Sequence, residues 1–224
     1  GLGAVMGSKN LKALAVRGKG EVPVADPDRM KAMNQKFLRG FRKVNPVDSL
    51  MLKALNFFAG IIARTGVSVP SQPSTVKEIM RTYGTSGLTV YSGMTGDSPI
   101  KNWSGVGYRD FPGSYRLSDK SVIAIQKRKY ACQSCPMACG GIIEIKKGRY
   151  GGTLGHKPEY ETLCSFGGLV LHDDLDTIVE INELCNREGI DTISAGGAVA
   201  FAIECFMNGI IDRKDTGGLD LDWG

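Results

Sequence analysis

No apolar run in the sequence is long enough to cross a bilayer, which takes roughly 20 apolar residues. The longest candidate, residues 50–63, is interrupted by Lys53 and Asn56, so it predicts a buried helix instead. The six cysteines are too few and too unevenly spaced for a disulfide scaffold. No signal peptide is recognisable either, so we expect a cytoplasmic protein with no membrane span and no nucleic-acid partner.

The composition is that of a folded protein. Of the 224 residues, 42% are hydrophobic and 23% are charged, which excludes disordered, collagen-like and low-complexity classes. Only 9 residues are proline but 30 are glycine, which predicts tight turns and close helix contacts. The first residue, Gly1, lies in a Gly-rich stretch, so we expect an excerpt of a longer protein.

Helical spacing of apolar residues dominates the chain and predicts a mainly α, multihelical fold. Asp26 can cap the first clear helix and Pro27 fits its first turn. A Gly-rich loop with a short strand over Leu11–Val16 should precede it, and a second β-rich segment covers Gly141–Lys146. We predict helices over residues 27–44, 47–64, 75–83, 118–128, 158–168, 173–187 and 191–208, the last buried on most sides.

Residues 84–116 are rich in Gly, Ser and Asp and are long for a structureless loop in a compact domain. We expect this segment to be functional or to be anchored by its aromatic side chains, which are Trp103, Tyr108, Phe111 and Tyr115.

The sharpest local signal is a CxxCxxxC cluster formed by Cys132, Cys135 and Cys139, directly followed by Gly140-Gly141. A [4Fe–4S] cluster needs four thiolates around one small volume, and three so close together favour such a cluster. Three alternatives compete. Zinc would need a second distant set of ligands, the radical-SAM pattern has the reverse spacing, and buried reduced cysteines remain possible in principle.

The fourth ligand is not evident from the sequence. The other cysteines, Cys164, Cys185 and Cys205, lie in apolar helical surroundings and are better explained as core residues. The missing ligand is therefore expected outside this chain.

Charge is unevenly distributed around the cysteines. Residues 116–149 contain eight basic and two acidic side chains, a net charge of +6 against +5 for the whole chain. Such a segment would stabilise an anionic cluster and attract an acidic electron carrier. An ordinary solvated face explains the pattern equally well.

Two acidic positions stand out in the segment that follows. Glu161 starts a helix next to Cys164 and Gly167-Gly168, where a carboxylate could serve as a proton donor with a raised pKa, although capping or ion pairing is the commoner role. Residues 186–194 form a helix–turn–helix junction in which Asp191 would cap the second helix.

Six stretches, in the same order and at matching spacing, resemble the aldehyde:ferredoxin oxidoreductase family of tungsten or molybdenum pterin enzymes. They are GLGAVMGSKNLKA at residues 1–13, the Tyr83-Gly-Thr turn, Pro99-Ile-Lys-Asn102, the cysteine cluster, Pro158-Glu-Tyr-Glu161, and residues 185–194 (CNREGIDTIS). The resemblance covers nearly the whole chain.

The resemblance implies a domain arrangement. Residues 1–20 would be the C-terminal edge of an α+β pterin-binding domain, contributing its last strand and loop. Residues 21–224 would be a helical second domain that binds the cluster and is incomplete at its C-terminus, and a third domain would be absent.

It also implies site residues. Cys132, Cys135 and Cys139 would ligate a [4Fe–4S] cluster whose fourth cysteine lies in the absent domain, and Glu161 would lie beside the metal as acid or base. The pterin contacts would come from Gly1, Asn186, Ile190 and Asp191. Where the family has Asp, this chain has Asn186, which removes a charge from the pterin contact. The family's Gly-Ala-Asn or Gly-Ser-Asn reads Gly167-Gly-Leu here, which indicates a different substrate.

The implied function is oxidation of an aldehyde to a carboxylic acid at a tungsten or molybdenum bis-molybdopterin centre, with electrons leaving through the cluster to ferredoxin or another iron–sulfur carrier. The alternatives are another carbonyl or aromatic-thioester substrate, or a non-catalytic electron-transfer subunit. A homo-oligomer or a redox complex is expected. Magnesium is a further candidate cofactor; a position matching Glu180 binds an intersubunit ion in one branch, but no nearby His completes that site here.

Overall fold

The computed structural model describes residues 2–20, 22–43, 46–65, 73–133 and 135–224. Within these ranges, helices carry most of the regular structure, as the sequence predicts. The α-helices are α1 (Leu2–Ser8), α2 (Pro27–Arg42), α3 (Pro46–Thr65), α4 (Pro73–Tyr83), α5 (Leu88–Thr95), α6 (Gly107–Asp110), α7 (Asp119–Ala124), α8 (Tyr160–Leu163), α9 (Leu175–Glu188) and α10 (Thr192–Met207).

The strands are short and form two antiparallel sheets. β1 (Pro99–Ile100) pairs with β2 (Gly105–Val106), while β4 (Gly140–Glu144) lies between β3 (Gln126–Tyr130) and β5 (Leu154–His156). The β-rich segment predicted over Gly141–Lys146 is thus confirmed as a central strand.

The predicted helix starts and stops are confirmed where local chemistry defines them. The Asp26 carboxylate accepts a hydrogen bond from the Arg29 N–H at 2.9 Å, and Pro27 opens α2. The helices predicted over 47–64 and 75–83 are α3 and α4. The predicted end of the first helix, at Val44 and Asn45, lies outside the described residues.

The predictions for residues 1–20 are wrong in detail. Residues 2–8, expected as a loop, form α1, and Leu11–Val16 form no strand. A strand needs a neighbour for its backbone N–H and C=O groups, and no segment among the described residues pairs with this one. Leu14 and Val16 are accordingly exposed.

Residues 84–116 are not structureless. They form a 3₁₀ turn (Thr85–Gly87), α5, the β1–β2 hairpin, α6 and a second 3₁₀ segment (Pro112–Leu117). Of the four aromatic side chains proposed as anchors, Tyr108 and Phe111 are buried, whereas Trp103 and Tyr115 are exposed. The anchoring hypothesis therefore holds for half of them.

The helix predicted over 118–128 ends early. Ser118 caps α7, but Gln126–Tyr130 become β3 and pair with β4. Gln, Lys and Arg are good helix formers, but intrinsic propensity is a weak preference, and pairing with an apolar, β-rich neighbour overrides it.

The two C-terminal helices form where the sequence places them. Gly189 ends α9 at a φ of 69°, and Gly209 follows α10 at the same angle. The prediction that α10 is buried on most sides is wrong, because among its described residues only Gly196, Ala200, Ile203 and Cys205 are buried. Large apolar side chains of the same helix, including Val199 and Phe201, are exposed.

The main core cluster joins these helices to the middle of the chain. Ile178 and Cys185 of α9 pack with Leu163 and Phe166 from the segment that contains α8, and with Val122 of α7. That segment continues from α8 into a π-helical turn, Cys164–Gly168. No single helix among the described residues is long and apolar enough to cross a membrane; only the pair α9 and α10, bent by 118°, meets that criterion together, by length and composition.

Candidate cofactor and metal site

The three clustered cysteines lie in the connection between β3 and β4. Tyr130, the last residue of β3, pairs with Gly140, the first of β4, so the loop is closed at its base. The Cys135 N–H donates to the Cys132 carbonyl at 3.0 Å, and Ala138 has a φ of 51°. All three thiols are free, with Cys132 exposed and the other two half-buried.

Whether these residues can hold a metal group depends on whether that group is a single metal ion or an iron–sulfur cluster. Among the described residues, no three His, Cys, Asp or Glu side chains converge on a single-metal-ion site. A [4Fe–4S] cluster does not require this, because each thiolate ligates a different iron atom. Three reduced, accessible thiols on one tight loop therefore fit an iron–sulfur cluster by donor type, with one ligand still to be supplied.

The remaining cysteines are poor candidates for that ligand. Cys164, Cys185 and Cys205 are buried, which confirms their prediction as core residues. Burial raises the pKa of the Cys164 thiol to about 12 and also raises that of Cys185. Cluster ligands are thiolates, so these environments oppose the form that a metal would need.

A cleft of about 530 Å³ begins at the base of the cysteine loop, a volume typical of small-molecule sites. It brings together Glu161 and Asn186, two of the site residues that the sequence singles out. Its walls come from β3, β5, α8, α9 and the start of α10, through Tyr130, His156, Lys157, Glu159, Glu161, Thr162, Asn182, Asn186, Thr192 and Ile193.

Side-chain hydrogen bonds hold the walls of the cleft together. The Tyr130 hydroxyl lies 2.9 Å from His156 Nδ1, which links β3 to β5. The Asn182 amide donates to the His156 carbonyl at 3.0 Å, which links β5 to α9. The hydroxyls of Thr162 and Thr192 lie 2.9 Å apart and join α8 to α10. The cleft is therefore a polar space between rigid elements.

Glu161 lies in the first turn of α8, and its side chain is exposed to the cleft rather than enclosed by apolar groups. The more enclosed carboxyl of this wall is that of Glu159, two residues earlier, which is half-buried. Burial raises the pKa of Glu159, and the nearby Lys157 lowers it in part. The Thr85 hydroxyl donates to Glu159 Oε2. The sequence analysis missed Glu159, although the motif Pro158-Glu-Tyr-Glu161 contains both carboxylates.

The junction between α9 and α10 presents one of its predicted residues to the cleft. Asn186 lines the cleft, whereas Ile190 and Asp191 are exposed and do not. The Asp191 carboxylate accepts from the Ser194 N–H at 2.7 Å, which confirms it as the cap of α10. Hydrogen bonding from the Ser194 hydroxyl, and then from its N–H, lowers the pKa of Asp191.

Helix α1 packs against this same junction. A Cβ atom added to Gly3 would lie 3.1 Å from the Gly189 Cα, and one added to Gly189 would lie 3.1 Å from the Ala4 nitrogen. The two backbones thus meet at glycines, which brings together two segments that the resemblance assigns to pterin binding. Gly1 itself lies outside the described residues.

The basic segment does not form one continuous face. Arg116 pairs with Asp173 at 2.8 Å and Lys147 with Asp176 at 3.3 Å, so both are drawn to the acidic segment at the start of α9. On β3, Lys127, Arg128 and Lys129 are exposed beside the cysteine loop, and of these Lys127 pairs with Glu144 at 2.6 Å. The Glu180 carboxylate accepts from the Arg149 N–H at 2.6 Å, which gives it a structural role.

A helical fold with three accessible thiols beside a polar cleft defines a candidate metal–cofactor oxidoreductase. The family model "Aldehyde ferredoxin oxidoreductase, domains 2 & 3" matches residues 62–224. The chain belongs to the aldehyde ferredoxin oxidoreductase family.

Curated relatives align with the chain over its full length. The tungsten-containing aldehyde ferredoxin oxidoreductase of Pyrococcus furiosus is 34% identical over 228 residues, which is 100% of this chain and 31% of the relative. The protein of the same name from Thermococcus kodakarensis is 31% identical, with 100% and 31% covered. An aliphatic sulfonate oxidoreductase, WOR-like subunit, of P. furiosus is 29% identical, with 100% and 30% covered. The chain thus spans about a third of the length of these relatives.

Proposed function

We propose that the whole protein oxidises an aldehyde to a carboxylic acid at a tungsten or molybdenum bis-molybdopterin centre and passes the electrons through a [4Fe–4S] cluster to ferredoxin. The observation that carries this proposal is the position of the cleft, which begins at the cysteine loop and is lined by both Glu161 and Asn186. Family membership supports it, since the matching relatives are named tungsten-containing aldehyde ferredoxin oxidoreductases.

In this proposal the loop residues Cys132, Cys135 and Cys139 hold three irons of the cluster, and the fourth ligand comes from outside this chain. The proposed pterin contacts are Asn186, which lines the cleft, together with Gly1, Ile190 and Asp191. When bound, the metal–pterin centre and the cluster supply two-electron oxidation and one-electron export.

Glu161 is the proposed acid or base. Converting an aldehyde and water to a carboxylic acid releases two electrons and two protons, so one side chain at the site must accept a proton. The Glu161 carboxylate is exposed in the cleft, whereas Glu159 is half-buried and accepts a hydrogen bond from the Thr85 hydroxyl. We assign proton transfer to Glu161 and a structural role to Glu159.

The substrate is the least constrained part of the proposal. One relative at 29% identity is named as an aliphatic sulfonate oxidoreductase subunit, so family members of this similarity differ in what they act on. A carbonyl compound or aromatic thioester other than a simple aldehyde is therefore the alternative substrate, and Gly167-Gly168-Leu169 is the sequence departure that favours it.

A second candidate is an electron-transfer subunit that holds the cluster without catalysis. Anaerobic purification of the full-length protein followed by metal analysis separates the two. About four irons per chain with about one tungsten or molybdenum supports the enzyme. Iron without either heavier metal supports the carrier, and zinc alone excludes both. Magnesium measured in the same sample tests that further cofactor.

The cysteine assignment has its own matched control. Cys139→Ser should lower the iron content and remove the cluster spectrum of the full-length protein, because it deletes an accessible loop thiol. Cys205→Ser changes a buried thiol of α10 and should leave the iron content unchanged. Equal iron loss in both variants would contradict the assignment.

A further inference from the structure

Lys157 is a buried lysine that the proposed function does not use. It directly follows β5, and its backbone N–H donates to the Gly141 carbonyl at 2.8 Å, two residues after Cys139. The residue is 3% exposed. Its ammonium donates to the Tyr83 carbonyl at 2.7 Å. A lysine this buried, held at both its backbone and its side chain, has a fixed position.

The ammonium of Lys157 lies next to the cysteine loop. A Cβ atom added to Gly84 would be 2.7 Å from Lys157 Nζ and 2.5 Å from the Cys139 carbonyl oxygen, so the two groups border the same small volume. Gly84 has a φ of 76°, a conformation that suits glycine. The Tyr83-Gly84 turn, Cys139 and Lys157 therefore pack against one another.

The charge balance at this point is positive. Burial lowers the pKa of Lys157 and the neighbouring Glu159 raises it, which makes Glu159 the opposing anion. A second ammonium, that of Lys129 on β3, donates to the Arg81 carbonyl at 2.6 Å and is close enough to affect the pKa of Lys157. The ammonium groups of Lys157 and Lys129 thus both lie near Cys139, and Glu159 is the carboxyl that opposes Lys157.

We propose that Lys157, as a fixed cation outside the ligand set, raises the reduction potential of the cluster held by Cys132, Cys135 and Cys139. This rests on the proposed function, because it requires the cluster. Reduction adds one electron and forms or breaks no bond, so the reduced site carries one more negative charge. A fixed cation stabilises that extra charge most where water is excluded. Groups outside the ligand set tune metal sites in this way.

The test is a redox titration of the anaerobically purified full-length protein, followed by electron paramagnetic resonance of the reduced cluster. Lys157→Met should shift the midpoint potential to more negative values, and Lys157→Arg should keep it near that of the wild type. Lys127→Met is the matched control, because Lys127 lies on β3 and is already paired with Glu144. It should leave the potential unchanged.

A second variant, expected to shift the reduction potential in the opposite direction, keeps the inference testable if Lys157→Met does not fold. Glu159→Gln removes the opposing anion and should shift the potential to more positive values. Full iron content with no shift in Lys157→Met, or no positive shift in Glu159→Gln, overturns the inference alone. Absence of iron from the wild-type protein overturns the proposed function, and this inference with it.

Discussion

Two glutamates two residues apart have different environments, and this difference decides their roles. Both line the cleft, but Glu159 is half-buried and accepts a hydrogen bond from Thr85, whereas Glu161 is exposed in the first turn of α8. A group that transfers a proton must reach the substrate, and only an accessible carboxylate can do so. Position, rather than the strength of a pKa shift, therefore favours Glu161.

The corresponding prediction is that Glu161→Gln lowers kcat for aldehyde oxidation by roughly 10²- to 10⁴-fold, the usual contribution of a general acid or base. The metal content of the full-length protein should not change, because Glu161 is not a proposed ligand. Glu188→Gln, which alters an exposed glutamate at the end of α9, is the control and should retain activity. An active Glu161→Gln enzyme would assign proton transfer to another group.

Gly84 gives a second prediction at this scale. Gly84→Ala should destabilise the full-length protein by about 1–3 kcal/mol, since a φ of 76° strains an alanine and its Cβ would meet Cys139 and Lys157. Gly40→Ala should instead stabilise the protein by about 0.5–1 kcal/mol, because Gly40 lies within α2 and no atom lies within 4 Å of an added Cβ. Thermal unfolding measures both, and equal effects would contradict the packing described here.

Single residues are predictable from sequence when their chemistry is local. Asp26 and Asp191 cap helices that begin immediately after them, and the buried cysteines follow from apolar neighbours in the chain. Lys157 and Glu159 are different. Their burial depends on Tyr83 and Thr85, more than 70 positions earlier, and no local pattern reveals that approach.

At the scale of elements, long periodic helices are predictable and short paired strands are not. α3, α9 and α10 form within a few residues of their expected bounds because each carries apolar residues at helical spacing over several turns. The first three residues of β3 are predicted as helix because Gln-Lys-Arg carries no strand signal, and pairing with β4 makes them part of a strand. The cysteine loop is thereby the connection of a hairpin.

Helix α9 supplies two cleft residues and depends on its cap. The Asp174 carboxylate accepts from the Asp176 N–H at 3.2 Å and from the Thr177 hydroxyl at 2.7 Å. Asp174→Ala should cost about 1 kcal/mol of unfolding free energy at neutral pH, the usual value of such a cap. Leu184, on the same helix and exposed, offers the control Leu184→Ala, which should cost less.

The Asp174 cap also predicts how the free energy of unfolding depends on pH. The Thr177 hydroxyl, more than any other group, lowers the pKa of Asp174 below its ordinary value of 3.8. A lowered folded-state pKa gives stability that is present above pH 3.8 and is lost as the pH falls through the folded pKa. The stability gap between wild type and Asp174→Ala should therefore narrow below about pH 4. A gap that widens on acidification would contradict this.

At the scale of the molecule, the exposure of apolar side chains on α10 is the clearest difference from expectation. The sequence of α10 is apolar throughout, yet within the described residues it packs mainly against α8, the π-helical turn and the C-terminal residues Leu221 and Trp223. Apolar composition predicts burial, but which partner provides it cannot be read from one element. The domain bounds and the pterin contacts are predictions from the family resemblance, since composition alone does not suggest them.

Surface charge is also a property of the whole molecule, because an electron carrier binds to a surface rather than to a single residue. Arg116 and Lys147 are neutralised by the acidic start of α9, so the cationic side chains left beside the cysteine loop are those of β3. If an acidic ferredoxin docks there, its kcat/KM should fall steeply as ionic strength rises, while the rate of reduction of an uncharged dye should not.

Arg128→Glu should lower kcat/KM for ferredoxin several-fold and flatten its salt dependence, since reversing one rim charge mainly slows association. Arg109→Glu reverses an exposed arginine on α6 and should do neither. The same response in both variants would make β3 an ordinary solvated strand, with the carrier docking elsewhere.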